Sequence, residues 1–177
     1  PKKAAPAKST AKVKKPVSKK DSAIQIRIST DSGVMIIKLY DSTPLHRNNF
    51  VKLVKEKFYD SLLFHRVIPG FMIQGGDPSS KNAPAGSMLG NGGDYLARIP
   101  AEFDTTLYHK KGVIAAARDG NPQKASSACQ FYLVQGKLYT DDELNSLEIQ
   151  KGYKYTAEQR EMYKTIGGTA SLDMEYT

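Results

Sequence analysis

The chain has 177 residues, which is enough for one domain with a full core. Its formal net charge of +8 arises at the start: residues 1–20 hold eight of the 26 basic residues and no acid, which leaves 18 basic against 18 acidic residues elsewhere. No run approaches the ~20 apolar residues of a membrane-spanning helix. The single cysteine, Cys129, excludes an internal disulfide.

Residues 1–20 are Lys, Ala, Pro, Ser, Thr and Val without an aromatic residue, and this composition predicts a disordered tail. Two interpretations stay open: a solvated linker, or a polycation that contacts polyanions such as nucleic acid by counterion release. Deletion of the tail followed by filter binding at two salt concentrations separates them. The start shows no signal-peptide core, so we expect a cytoplasmic protein, or a periplasmic or cell-envelope one if a signal was removed.

The first part of the chain predicts a β-hairpin and then a helix. Residues 24–28 alternate between Ile and polar residues, residues 31–33 read as a turn, and residues 34–40 predict the partner strand. Thr43 and Pro44 then suit the N-cap and the first position of a helix, and an apolar stripe with helical spacing follows.

The central stretch, residues 64–78, reads Phe-His-Arg-Val-Ile-Pro-Gly-Phe-Met-Ile-Gln-Gly-Gly-Asp-Pro. Its β-branched and aromatic residues predict strands on either side of a Pro-Gly turn. Because alternate residues of a strand share a face, we expect Met72 and Gln74 on one face and Phe71 and Ile73 on the other, unless a bulge intervenes.

In the second half, residues 79–100 predict a long Gly-rich loop, and residues 113–117 and 129–134 predict strands. Two helix starts follow at Thr140 and Thr156, each with acidic residues in or near the first turn. Both helices look polar, so we expect them to pack outside the core. They form either a surface elaboration or a surface that selects protein partners.

The central stretch resembles the signature of the cyclophilins, the peptidyl-prolyl cis-trans isomerases, and the resemblance runs from about Ile24 to Thr177; the overall pattern resembles bacterial members. It implies that residues 21–177 are one mainly β domain, a closed antiparallel β-barrel capped by helices. Compared with shorter cyclophilins, residues 137–165 are a helical insertion. The family continues past the equivalent of Thr177 with a helix and a final strand, so we expect a chain truncated at its C-terminus, with terminal strands absent.

Rotation about an X-Pro bond is slow because the nitrogen lone pair is delocalised into the carbonyl. No bond is broken, so the reaction requires no nucleophile, metal or cofactor; it requires a hydrogen-bond donor aimed at the nitrogen of the twisted amide. The resemblance implies that Arg66 is this catalytic donor and that Gln74 steadies it. The implied substrate-binding residues are Phe71, Met72, Ala117, Arg118, Gln130, Tyr132, Leu172 and Tyr176.

Several of these positions depart from the family pattern. Tyr132 stands where Phe is usual, a small change that should keep the pocket floor, and Tyr176 stands where His is usual and can still donate a hydrogen bond. Arg118 stands where Asn is usual, which leaves open the residue preferred before proline. Ser171 stands in place of the tryptophan associated with tight cyclosporin binding, so we expect weak inhibition by that compound.

We expect a monomer that acts on proline-containing polypeptides. Two other function classes stay open: a non-catalytic proline-peptide binding module or chaperone, and a nucleic-acid binder driven by the tail. A Cys129 nucleophile is disfavoured because nothing near it indicates a lowered thiol pKa, and the three histidines lack metal-like spacing.

Overall fold

The computed structural model describes residues 23–177, so the predicted tail lies outside the described residues. Six β-strands and three α-helices are present in this part of the chain. The strands are Gln25–Thr30 (β1), Gly33–Lys38 (β2), Arg66–Ile68 (β3), Met72–Gly75 (β4), Ile114–Ala116 (β5) and Phe131–Val134 (β6). The helices are Pro44–Lys55 (α1), Asp141–Lys151 (α2) and Ala157–Thr165 (α3).

Strands β1 and β2 form the predicted hairpin, paired antiparallel from Gln25↔Lys38 to Thr30↔Gly33. The alternation of β1 has the expected effect: Ile26 and Ile28 are partly buried, whereas their neighbours face solvent.

Helix α1 begins where the sequence predicts, but its N-terminus is capped from elsewhere. Thr43 is the N-cap residue and makes no side-chain capping hydrogen bond. The carboxylate of Glu102 instead accepts hydrogen bonds from the amides of Leu45, at 3.0 Å, and His46, at 2.9 Å. A residue far along the chain thus satisfies amides of the first turn that have no partner within the helix.

The other four strands form an antiparallel sheet in the order β3-β4-β6-β5. Its register pairs Arg66 with Gln74, Gln74 with Tyr132, and Tyr132 with Ala115. Directly paired residues point to the same face of a sheet, so these four side chains all lie on one side of it. We call this side of the sheet the site face.

The two faces of the sheet contribute to different hydrophobic clusters. The site face carries Met72, Ala115, Ala117, Tyr132 and Val134. The opposite face carries Leu133, Ile73 and Ile114, which pack with residues of the hairpin and of α1. The hairpin therefore covers one face of the sheet and leaves the site face for other contacts.

Phe71 lies on the face of Met72, which is the exception that the sequence left open for a bulge. Phe71 packs in the same cluster as Met72, not with Ile73. Phe71 precedes β4, in the turn closed by its amide to Ile68, so strand alternation does not apply to it. The amides of Gln135 and Gly136 both donate to its carbonyl oxygen at 2.9 Å, which is the pattern of a β-bulge.

Helices α2 and α3 pack outside the two clusters of the sheet, as expected, and they also bury apolar residues of their own. Leu144 and Tyr163 are 0% exposed and form a cluster with Tyr155 and Ala170. Thr140 begins α2 with a capping box, and Thr156 does the same for α3. The predicted helix starts are therefore correct. The helices are polar in composition, but they contribute residues to a separate small hydrophobic cluster.

The described strands form two separate sheets, which meet by side-chain packing. None of the helices within residues 23–177 is both long and apolar enough to cross a membrane. The described residues therefore form a two-stranded hairpin, a four-stranded sheet and three α-helices.

Candidate functional site

A hydrogen-bonded row of side chains crosses the site face. The Arg66 guanidinium donates to Gln74 Oε1 at 3.2 Å, and Gln74 Nε2 donates to Gln130 Oε1 at 3.0 Å. Arg66 is exposed, Gln74 is half-buried and Gln130 is buried, so the row descends from solvent into the protein. Each amide is oriented by its neighbours, and the orientation of Gln74 presents an oxygen to the arginine.

The Gly-rich loop predicted over residues 79–100 closes the inner end of this row. Gln130 Nε2 donates to the carbonyl oxygens of Gly90 and Gly92, both at 2.9 Å. Asp77, which is 0% exposed, accepts hydrogen bonds from the amides of Ser79 and Gly90. Burial alone would raise the pKa of Asp77, but these amide hydrogen bonds hold it below its usual range.

The turn after β4 depends on a glycine. Gly76 has φ of +90°, and a Cβ there would lie 2.1 Å from the carbonyl oxygen of Cys129. Only glycine permits this close approach. The approach brings the end of β4 against the start of β6, which aligns Gln74 with Gln130.

An apolar surface lies beside the row. Met72 and Tyr132 are 2% and 4% exposed and form its floor. The partly buried side chains of Phe71, Leu172 and Tyr176 pack against them and reach the surface. The apolar surface could hold an apolar ring of a ligand, while the exposed guanidinium of Arg66 donates a hydrogen bond to a polar atom beside that ring.

The hydroxyl of Tyr132 points away from this surface into a buried network. It lies 2.9 Å from Nε2 of His109, whose Nδ1 lies 2.9 Å from Oδ1 of Asp173. The other carboxylate oxygen of Asp173 accepts from the hydroxyl of Tyr163 at 2.5 Å. Burial is the main cause that raises the pKa of Tyr132 well above its ordinary value, so the hydroxyl keeps its proton.

Arg118 is engaged with the last residues of the chain. Its Nε donates to the carbonyl oxygen of Glu175 at 2.8 Å, and its guanidinium lies 4.6 Å from the ring centroid of Tyr176. The amide of Ala117 donates to the carbonyl oxygen of Gln130. Arg118 thus holds Tyr176 over Tyr132, where the two rings meet edge to face at 5.8 Å.

A cavity of about 180 Å³ adjoins Gln74 and Gln130, and Ala117 and Arg118 also contribute to its lining. An ion pair between Arg98 and Asp119 contributes to its lining, with Nη2 and Oδ2 2.8 Å apart. Hydrogen bonds from Arg98, first of all, lower the pKa of Asp119.

The comparisons with known proteins agree with this geometry. Residues 24–157 match the family described as cyclophilin type peptidyl-prolyl cis-trans isomerase/CLD. The chain belongs to this family. The matched region includes Arg66, Gln74 and Gln130 and ends before Leu172 and Tyr176.

Two curated relatives carry peptidyl-prolyl cis-trans isomerase in their names. The chain is 33% identical over 154 residues to a putative bifunctional phosphatase/peptidyl-prolyl cis-trans isomerase of Streptococcus pyogenes, covering 86% of this chain and 30% of that protein. It is 33% identical over 160 residues to a putative peptidyl-prolyl cis-trans isomerase of Staphylococcus haemolyticus, covering 89% of this chain and 74% of the relative. The chain thus spans less than a third of the first relative's length.

Solved structures show the same fold. The cyclophilin type peptidyl-prolyl cis-trans isomerase of Cryptosporidium parvum aligns with a TM-score of 0.51 at 31% identity, covering 60% of this chain and 64% of that one. A structure of the same protein in the presence of the dipeptide Ala-Pro gives 0.53 at 29% identity, covering 62% and 66%.

The site residues that the resemblance implies lie together on one face of the sheet. These ten residues lie in the row, on the apolar surface or in the Ala117–Arg118 segment beside them. His109, Asp173 and Tyr163, which form the buried network behind Tyr132, are not among the predicted site residues. Asp173 stands within the resemblance beside Leu172, but neither spacing nor composition links it to His109 or Tyr163.

Cys129 is 1% exposed, and burial, first of all, raises the pKa of its thiol, which makes it a poor nucleophile. Within residues 23–177, no group of three or more His, Cys, Asp or Glu side chains could hold a metal ion.

Proposed function

We propose that this cyclophilin accelerates cis-trans exchange about X-Pro bonds in polypeptides, with Arg66 as the donor to the nitrogen of the twisted amide. The observation that carries the proposal is the hydrogen bond between Arg66 and Gln74 beside an apolar slot. A guanidinium has several N–H donors in a planar array, so the one used for Gln74 leaves others for a substrate.

The donor acts more strongly on the transition state than on the ground state. In the planar amide the nitrogen lone pair is delocalised, and in the twisted amide it is localised and accepts a hydrogen bond. Gln74 fixes the direction of Arg66, and Gln130 fixes the direction of Gln74. The donor is therefore oriented before the substrate arrives, which is the condition for electrostatic stabilisation at little reorganisation cost.

The proline ring would lie on the surface formed by Phe71, Leu172 and Tyr176, above Met72 and Tyr132. An apolar slot holds the ring still while the carbonyl side of the bond rotates. Phe71 and Leu172 contribute aromatic and aliphatic area, and the buried floor beneath them resists deformation because protein interiors are closely packed.

Substitution of Arg66 by Ala tests the catalytic function. Exchange spectroscopy on an Ala-Pro peptide gives kcat/KM and, by titration, the dissociation constant. We expect Arg66→Ala to lower kcat/KM about 100- to 1,000-fold, the usual effect of removing one preorganised donor. Arg27→Ala is the matched control, because Arg27 is also an exposed arginine on a strand and lies on β1.

Equal activity of Arg66→Ala and Arg27→Ala would refute the role of Arg66. A wild-type chain that binds the peptide without accelerating its exchange would support instead the non-catalytic proline-binding module.

We further propose that the two described sheets are parts of one closed antiparallel barrel. Ile37 and Leu39 of the hairpin segment share a buried cluster with Leu133 of β6, which supports continuity between the sheets. Amide hydrogen exchange tests this proposal. If the barrel is closed, the amides of β1 and β3 that have no partner within their own sheet are hydrogen-bonded to another strand and should exchange slowly; rapid exchange of these amides would contradict closure.

A further inference from the structure

A second functional element lies behind the apolar surface, in the chain of hydrogen bonds that joins Tyr132 to helix α3. Its four side chains, Tyr132, His109, Asp173 and Tyr163, are all at most 5% exposed. Asp173 is fully satisfied: Oδ1 accepts from the amide of His109 at 2.7 Å and lies 2.9 Å from its Nδ1, and Oδ2 accepts from Tyr163. A satisfied buried network fixes the orientation of each member.

The directions of these hydrogen bonds follow from the groups involved. A carboxylate only accepts, so the Nδ1 atom of His109 must donate to Asp173. When the imidazole is assigned the neutral form with Nδ1 protonated, Nε2 accepts a hydrogen bond from the hydroxyl of Tyr132. The tyrosine hydroxyl is thus turned away from any ligand, and its ring is stacked on His109, with centroids 6.0 Å apart and planes 14° apart.

The far end of the network belongs to α3, in the predicted insertion of residues 137–165. Tyr163 is 0% exposed and lies edge to face against Tyr108, Tyr139 and Tyr155, with centroids 5.5 to 5.6 Å apart. A ring held on three sides cannot move its hydroxyl without moving its neighbours. The α3 helix is therefore a rigid support for Asp173.

The geometry points to Tyr163 as a positioning residue for the proline pocket, acting through Asp173 and His109 on the Tyr132 ring. This inference rests on the proposed isomerase function and gives the insertion a role in it. Loss of the Tyr163 hydroxyl would remove the donor to Oδ2 of Asp173, so that only the contacts of Oδ1 with His109 hold the carboxylate. The carboxylate is then less firmly oriented, which loosens His109 and then the pocket floor.

The test compares Tyr163→Phe with Tyr139→Phe in the full chain. Tyr139 is the matched control because it packs on Tyr163 in the same cluster, but its hydroxyl accepts from the amide of Ala170 and does not contact Asp173. We expect Tyr163→Phe to raise both KM and the dissociation constant of an Ala-Pro peptide about three- to tenfold, which is the usual effect of losing one hydrogen bond. The value of kcat should be nearly unchanged. Tyr139→Phe should leave all three unchanged.

A double-mutant cycle with Tyr132→Phe separates positioning from general destabilisation. Without the Tyr132 hydroxyl the network no longer reaches the pocket, so Tyr163→Phe should have no further effect on KM, although it should still lower stability. An equal rise in KM in both backgrounds, or an equal effect of Tyr139→Phe, would overturn the inference.

A measurement on the wild type covers the case in which Tyr163→Phe does not fold. On titration with the Ala-Pro peptide, the NMR signals of the His109 imidazole nitrogens and of the Tyr163 ring should shift, and those of Tyr139 should not; a stationary Tyr163 signal overturns the inference. Binding without catalysis would refute only the isomerase function, since the dissociation constants still decide the role of Tyr163. A chain that neither binds nor isomerises the peptide overturns both.

Discussion

Glu102 should contribute more to stability than its position in a loop indicates, because it caps α1 from outside the helix. Its carboxylate accepts from the amides of Leu45 and His46 and lies 2.7 Å from Nδ1 of His46. Nε2 of the same imidazole lies 2.9 Å from the hydroxyl of Ser126. One carboxylate thus joins the start of α1 to the segment that leads into β6.

The magnitude follows from what Glu102→Ala leaves behind. Loss of an N-cap acceptor costs about 0.5–2 kcal/mol, and loss of a negative charge near a helix N-terminus about 0.3–1 kcal/mol. The half-buried Nδ1 of His46 also loses its partner, at about 1–3 kcal/mol. We expect the free energy of unfolding to fall by about 3 kcal/mol.

Urea denaturation of Glu102→Ala, Glu102→Gln and Glu161→Ala provides the measurement. Glu102→Gln keeps an acceptor oxygen without the charge and should lose less than the alanine variant. Glu161→Ala is the control, because Glu161 is an exposed acid on α3, and its loss should change stability by less than about 0.5 kcal/mol. A loss below about 1 kcal/mol for Glu102→Ala would refute capping by Glu102.

Three further results are expected. Burial lowers the pKa of His46 from its ordinary 6.5, so the unfolded chain binds more protons and the free energy of unfolding should fall as pH drops below about 6.5. Amide hydrogen bonds outweigh burial and lower the pKa of Glu102, so the fall should continue below pH 4.5 in the wild type and should flatten there in Glu102→Gln. Urea midpoints measured as a function of pH would show both effects. Gln74→Leu should lower kcat/KM about tenfold by releasing Arg66, and an unchanged value would exclude that role. Cyclosporin should inhibit weakly because Ser171 replaces tryptophan; a nanomolar inhibition constant would contradict this.

Local patterns in the sequence sufficed for the elements with short-range causes. The hairpin follows from the alternation of residues 24–28, and the starts of α2 and α3 follow from Thr140 and Thr156, whose capping partners lie three residues away. The row of Arg66 and Gln74 also follows, because the turn between β3 and β4 pairs them across a hairpin.

The sequence by itself determined these elements and, through the resemblance of residues 64–77, the family; it also named the residues that are proposed for the site. Only the tertiary structure decided which distant groups meet: Glu102 at the start of α1, and Asp173 between His109 and Tyr163. The physical reason is that period and propensity record what a residue does to its neighbours along the chain. The partner of a buried polar group is chosen by packing between distant segments, which no local pattern encodes.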